Sequence, residues 1–153
     1  MALDDDIRIL SAVGLFEGFT QEQLRLLAFG AETTVLGADK KLYREEDEAD
    51  SAYVVVSGRI VLYREGGSDS QRIVVGHVGP GAILGELALI ADTKRLTSAS
   101  AEDDSEVLRL NRRMFRRILE EYPELAVHLH QRITAELQEF LQKIENLAPR
   151  FAG

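Results

Sequence analysis

Cysteine is absent from this 153-residue chain. That one absence excludes disulfides, thiolate metal sites and cysteine nucleophiles, and it fits a reducing compartment. Basic charge is short as well: 18 lysines and arginines against 26 aspartates and glutamates leave a net charge of −8. A phosphate backbone repels such a chain, so the balance argues against a reader of nucleic acid, and no direct DNA binding is expected. Apolar runs stop far short of the ~20 residues of a membrane span, so no membrane partner is expected. The N-terminus, Met1-Ala2-Leu3-Asp4-Asp5-Asp6, is acidic where a secretory leader is basic. Tryptophan is missing, and proline occurs 3 times. What is present is ordinary for a folded chain, at 45% hydrophobic and 29% charged residues. A single soluble, cytoplasmic domain is expected, burying about two thirds of its unfolded surface.

Residues 1–30 read as a helical segment. Thr20-Gln21-Glu22-Gln23 has the form of a capping box, in which a side-chain oxygen and an amide satisfy each other across the first turn. Leu24, Leu26 and Leu27 follow at helical spacing, Phe16 and Phe19 sit where a staple would hold the helix down, and Gly30 ends it. From 31 to 111 the texture changes to short Val/Ile/Leu/Tyr runs broken by turn residues every eight to twelve positions, the mark of an all-β barrel or sandwich. The runs are Thr33–Leu36, Ala52–Val56, Arg59–Tyr63, Ile73–Gly76 and Glu106–Leu110, with a hairpin tip at Gly66–Ser70. Residues 112–145 return to helix, with Asn111 as N-cap of a short one and Pro123 in the first turn of a longer one. The fold class is therefore mainly β with helical flanks: a jelly-roll-like β-roll with N-terminal helices and two C-terminal helices.

The densest chemical signal is Gly79-Pro80-Gly81-Ala82-Ile83-Leu84-Gly85-Glu86-Leu87-Ala88-Leu89-Ile90, followed by Ala91-Asp92-Thr93-Lys94-Arg95-Leu96-Thr97-Ser98-Ala99. Gly79-Pro80-Gly81 makes a tight turn and Ala82–Leu84 a short strand. Gly85 then opens a helix of one or two turns, whose unpaired amides suit an anion and whose glycine lets a ligand approach the backbone. Glu86 can only accept when ionised, which suits a sugar hydroxyl. Arg95 carries a planar fork that grips phosphate through two hydrogen bonds. A sugar acceptor, a fixed cation and free amides between them describe a ribonucleotide of single charge.

This segment resembles the phosphate-binding cassette of the cyclic nucleotide-binding domain family, found in catabolite-activator-type regulators, protein kinase A regulatory subunits and nucleotide-gated channels. Gly85–Leu89 match its Gly-Glu-Leu-Ala-Leu, and Arg95, Thr97 and Ser98 its arginine and the small or hydroxylic residues after it. Tyr43–Gly58 resemble the first strands of the same roll, and the likeness runs from about residue 10 to 145. The resemblance implies a cassette at 85–98, with Gly85, Glu86, Leu87, Ala88, Arg95, Leu96 and Thr97 as ligand-binding residues. Glu86 would take the ribose 2′-hydroxyl. Arg95 would neutralise the cyclic phosphate, helped by amides around Ala88 and Leu96, and the last helix would close over the base. Three positions depart from the family pattern. Glu46 replaces a turn glycine, Lys94 replaces the proline before the arginine, and Leu96 stands where guanine-preferring members carry a hydroxyl. Leucine offers a guanine edge no hydrogen bond, so cAMP is expected over cGMP. Thr97, one place on, carries the hydroxyl that guanine would need.

The remaining signals have plainer readings. His77 is isolated, and His128 and His130 lie about 200° apart around a helix, so no metal site is expected. Arg112, Arg113, Arg116 and Arg117 read as a solvated face balancing Glu120, Glu121 and Glu124. On the last helix, Leu125, Leu129, Ile133, Leu137, Phe140 or Leu141, and Ile144 form one stripe. That stripe either packs on its own roll or zips against a second copy as a homodimer. Nothing in the sequence offers a nucleophile, a poised base or a triad, so no catalysis is expected. Only nine residues follow Ile144, too few for a winged helix, and the initiating Met1 favours a free-standing sensor acting on a partner protein. The alternatives are an excised domain of a channel or transcription regulator, and a non-binding module with a degenerate pocket.

Overall fold

The computed structural model describes residues 2–65 and 72–147. The chain opens with helix α1 (Ala2–Ser11), a 3₁₀ turn (Gly14–Phe16) and helix α2 (Gln21–Gly30). The Thr20 capping box forms in both directions, with Gln23 N donating to Thr20 Oγ1 at 3.1 Å and Thr20 N to Gln23 Oε1 at 2.8 Å. Phe16 and Phe19 pack as tilted rings 5.2 Å between centroids, and Phe16 also meets Phe115.

Ten strands follow among the described residues: β1 (Glu32–Leu36), β2 (Lys41–Tyr43), β3 (Glu48–Ala49), β4 (Ser51–Ser57), β5 (Ile60–Glu65), β6 (Arg72–Val78), β7 (Ile83–Leu84), β8 (Thr93–Lys94), β9 (Ser98–Ala101) and β10 (Ser105–Asn111). A second 3₁₀ turn, Glu86–Leu89, lies between β7 and β8. The strands form two four-stranded sheets, β1-β10-β4-β7 and β2-β9-β5-β6, and the small pair β3-β8. Every pairing is antiparallel. The hairpin tip expected at Gly66–Ser70 lies outside the described residues.

Strand alternation explains how one sheet serves two cores. Ala52 and Val54 of β4, with Leu108 and Leu110 of β10, face a core shared with α1, α2 and the C-terminal helices. Val55 and Val107 point the other way, into the roll, against Ile60, Leu62, Val75, Ala99 and Ala101. Burial on both faces is why β4 reads as an unbroken apolar run from Ala52 to Val56. Gly58 turns the β4–β5 hairpin with φ +89°, where an added Cβ would strike Ser105.

After β10 come α3 (Arg112–Glu121) and α4 (Pro123–Asn146). Asn111 caps α3, its side-chain oxygen accepting from Arg113 N at 2.7 Å and Met114 N at 3.3 Å. Leu125, Leu129 and Ile133 of α4 are buried in the first core, and Ile144 reaches the second. The apolar stripe of α4 thus lies on its own roll. No helix among the described residues is long and apolar enough to cross a membrane.

Arg112 departs from the solvated face read for it. Its Nη1 donates to the carbonyls of Ala49 (3.1 Å), Ala88 (3.2 Å) and Ala91 (2.7 Å), and its Nη2 to Asp92 Oδ1 at 2.6 Å. One guanidinium therefore ties the start of α3 to β3 and to the 3₁₀ turn. Glu46 holds a left-handed backbone (φ +75°) in spite of its side chain. Its amide donates to the Arg95 carbonyl at 2.9 Å, and Arg95 N returns a bond to Asp47 O at 2.8 Å. Beside it Lys94 pairs with Glu48 across the β3–β8 ladder.

Candidate functional site

The site lies where the 3₁₀ turn, the loop to β9 and helix α4 converge on the mouth of the roll. Gly85 ends β7 in the left-handed region (φ +68°, ψ +33°), which turns the chain sharply into Glu86–Leu89. A Cβ at position 85 would collide with Arg95 Nη1, so glycine is required both by backbone angle and by closeness to the guanidinium.

Arg95 is only 6% exposed, and its Nε and Nη1 have no hydrogen-bond partner among the described residues. Its guanidinium lies 4.3 Å from the Tyr43 ring centroid and 5.5 Å from that of Tyr53. Stacking on aromatic faces compensates part of the burial, but it leaves in-plane donors unused. Buried donors are seldom left unpaired, because each costs about 1–3 kcal/mol. Two at one guanidinium mark a place built for an acceptor. Burial raises the Tyr43 phenol above its usual range, and the Arg95 charge, with a smaller contribution from the Thr97 side chain, partly offsets this.

Glu86 stands at the other wall. Burial first, and then the Glu136 carboxyl of α4, to which the protonated Glu86 donates, push its carboxyl up to about 8; its own backbone amide works in the opposite direction. Glu86 and Arg95 line the same cavity of about 230 Å³. That cavity runs from Gly85–Ala88 and Thr93–Thr97 to Leu62 and Val75–Val78, and Ile133, Leu137, Phe140 and Lys143 of α4 roof it. It is small beside the ~300–1,000 Å³ of typical ligand clefts, as expected with a helix lying over the mouth.

The chain matches the family model described as the cyclic nucleotide-binding domain over residues 33–122. It belongs to the cyclic nucleotide-binding domain family. Among solved structures, a cyclic nucleotide-binding-like protein from Brucella abortus is 62% identical, covers 76% of this chain and 99% of its own, and superimposes with a TM-score of 0.69. The Thermus thermophilus catabolite activator protein is 26% identical over 88% of this chain and 62% of its own, with a TM-score of 0.74. Among curated proteins, human patatin-like phospholipase domain-containing protein 6 is 26% identical over 145 residues, 95% of this chain. The chain spans a tenth or less of the length of such curated relatives.

Within this cyclic nucleotide-binding domain, all seven residues singled out from the sequence line the one cavity. Their states differ. Ala88 is fully buried, and its amide already donates to Gly85 O at 3.1 Å. Leu96 is 36% exposed, whereas Thr97 is 3% exposed. Glu86 and Arg95 are not joined in an ion pair among the described residues; Glu86 meets Glu136 instead. His77 sits at the cavity edge with Nδ1 2.8 Å from Glu102, which also meets Arg59 at 2.9 Å. His128 and His130 are exposed on α4.

Sequence reasoning missed Tyr43, Tyr53, Glu136 and Lys143. Glu136 was open to discovery. It lies three residues after Ile133 and four before Phe140, on the edge of the stripe that covers the roll. The tyrosines carried no such signal, because only pairing of β2 with β9 brings Tyr43 near Arg95.

Proposed function

We propose that this domain binds a cyclic mononucleotide, cAMP in preference to cGMP, and signals occupancy to a partner protein through α4. The observation that carries the reading is Arg95: a buried cation, stacked on tyrosine, with two unmatched donors on a small cavity. The singly charged cyclic phosphate supplies acceptors for both. Glu86, on the same cavity, takes the ribose 2′-hydroxyl. The base lies toward Leu62, Val75 and Val78, beneath Leu137 and Phe140. Two features favour adenine: Leu96 has no donor or acceptor on its side chain, and Thr97 is buried.

Nothing reactive is asked of these residues, and the role is regulatory rather than catalytic. Phosphate capture by Arg95 reorders the loop from Thr93 to Thr97. The 3₁₀ turn shifts with it, and α4 settles on the base. The ligand acts through its different affinity for the two positions of α4. Acidic charge and the lack of cysteine fit action in a reducing cytoplasm.

Calorimetric titration with cAMP and cGMP tests the reading, together with hydrogen exchange of α4. Saturable cAMP binding, weaker cGMP binding and added protection of α4 are expected. Absence of binding and of any thermal shift with either nucleotide would make this a docking module with an unused pocket.

A further inference from the structure

The helix that roofs the cavity also inserts an acid of its own. Glu136 lines a second cavity with Glu86, beside the first, and hydrogen-bonds its carboxyl group. Two ionised carboxylates are both acceptors and repel one another; they can bond only by sharing a proton. The contact lies at the residue assigned above to the ribose hydroxyl. In the ligand-free domain that partner position is therefore already taken.

We infer that Glu136 is an internal competitor of the ribose, held to Glu86 by one shared proton, and that nucleotide enters as Glu136 withdraws and the proton leaves. The inference rests on the proposed role of Glu86 and adds to it a rival acid and a proton. The exchange balances. A neutral Glu86 carboxyl bonded to an ionised Glu136, plus a 2′-hydroxyl, becomes an ionised Glu86 accepting that hydroxyl, an ionised Glu136 facing water, and one proton in solvent.

The surroundings permit this. From α4, Glu139 and Lys143 line the second cavity with the pair. From the cassette, Arg95 and Lys94 share the main cavity with Glu86, and from β2 the Tyr43 phenol feels its charge. Despite the nearby cations, burial and Glu136 together keep the Glu86 carboxyl near 8, so at neutral pH it is mostly protonated. The sign follows from linkage. Bound nucleotide needs Glu86 ionised, so affinity should rise with pH, by up to about tenfold per unit, and level off above about 8. For the free domain the raised value works the other way. The grip of α4 is fullest below the ordinary carboxylate value of 4.5, weakens as pH climbs to about 8, and is flat beyond.

Two measurements on the full chain test the inference. Calorimetry with cAMP from pH 6 to 9, in two buffers of different ionisation enthalpy, should show release of close to one proton at pH 7. Hydrogen exchange of ligand-free α4, corrected for intrinsic rates, should show protection falling from pH 5 to 8. Glu136→Ala should bind about tenfold more tightly at pH 7 and release less proton than wild type, the remainder coming from the burial that still holds Glu86 up. Glu136→Gln, whose amide can donate to an ionised Glu86, should keep α4 protected while flattening the pH profile. Nucleotide binding that is independent of pH and releases no proton would overturn the inference while leaving the sensor reading intact. No nucleotide binding at any pH would sink that reading instead. The α4 protection profile would then still show whether the carboxyl pair exists, and its competitor role would be overturned.

Discussion

Replacing Arg95 by methionine separates a ligand site from a structural arginine, because the two predict opposite signs for the empty protein. Methionine keeps much of the volume over Tyr43 and removes the charge. In the free domain the wild-type guanidinium carries two buried donors without partners, each costing about 1–3 kcal/mol. Their removal is offset in part by losing the stacking on Tyr43 and Tyr53, about 0.5–2 kcal/mol. The net expectation is a free domain as stable as wild type or up to about 5 kcal/mol more stable. For a chain of this size that is a rise in Tm of 0 to roughly 20 °C. Binding should move the other way. Two charge-assisted hydrogen bonds at about 1.5–3 kcal/mol each make 3–6 kcal/mol, or a loss of about 10²–10⁴-fold in affinity for cAMP. Thermal unfolding of the free protein and calorimetry read the two effects. A variant that melts well below wild type and still binds cAMP normally would refute the reasoning and make Arg95 an ordinary part of the fold.

Gly85→Ala should cost about 1–3 kcal/mol of stability in denaturant unfolding, from the left-handed backbone and the collision with Arg95, and should weaken cAMP binding in titration. Glu46→Gly should stabilise by about 0.5–1 kcal/mol by the same measurement, since glycine relieves φ +75° at an exposed turn. Arg112→Ala strands the carbonyls of Ala49, Ala88 and Ala91, and a loss of about 2–4 kcal/mol is expected. Its hydrogen exchange should speed up at the 3₁₀ turn before it does in β4 or β10.

What could be read from the sequence was what is local. The Thr20 box, the Asn111 cap and Pro123 are each decided within one helical turn, and each stands where expected. Strands β4, β5 and β10 were legible from apolar runs. Strand β9 was not: Ser98-Ala99-Ser100-Ala101 is buried throughout, yet small side chains give no hydrophobic signal. It pairs with β2 on one side and β5 on the other. The two-residue strands β3 and β8 were too short to leave a pattern. In the site, Glu86 and Arg95 were legible as types suited to sugar and phosphate. Their shared cavity, the tyrosines under Arg95 and the contact with Glu136 depend on pairings across tens of residues. Arg112 shows the limit most clearly. One turn of sequence made it a member of a charged cluster, while its partners lie some 20 to 60 residues away.

The two rings beneath Arg95 also give the molecule an optical readout. With no tryptophan in the chain, ultraviolet emission comes from tyrosine alone, and Tyr43 and Tyr53 are 2 of its 4 emitters. Both lie against the guanidinium, so an anion drawing that cation off their faces alters their quantum yield. Titrating unlabelled protein in a fluorimeter should therefore report the arrival of phosphate at the atoms that receive it.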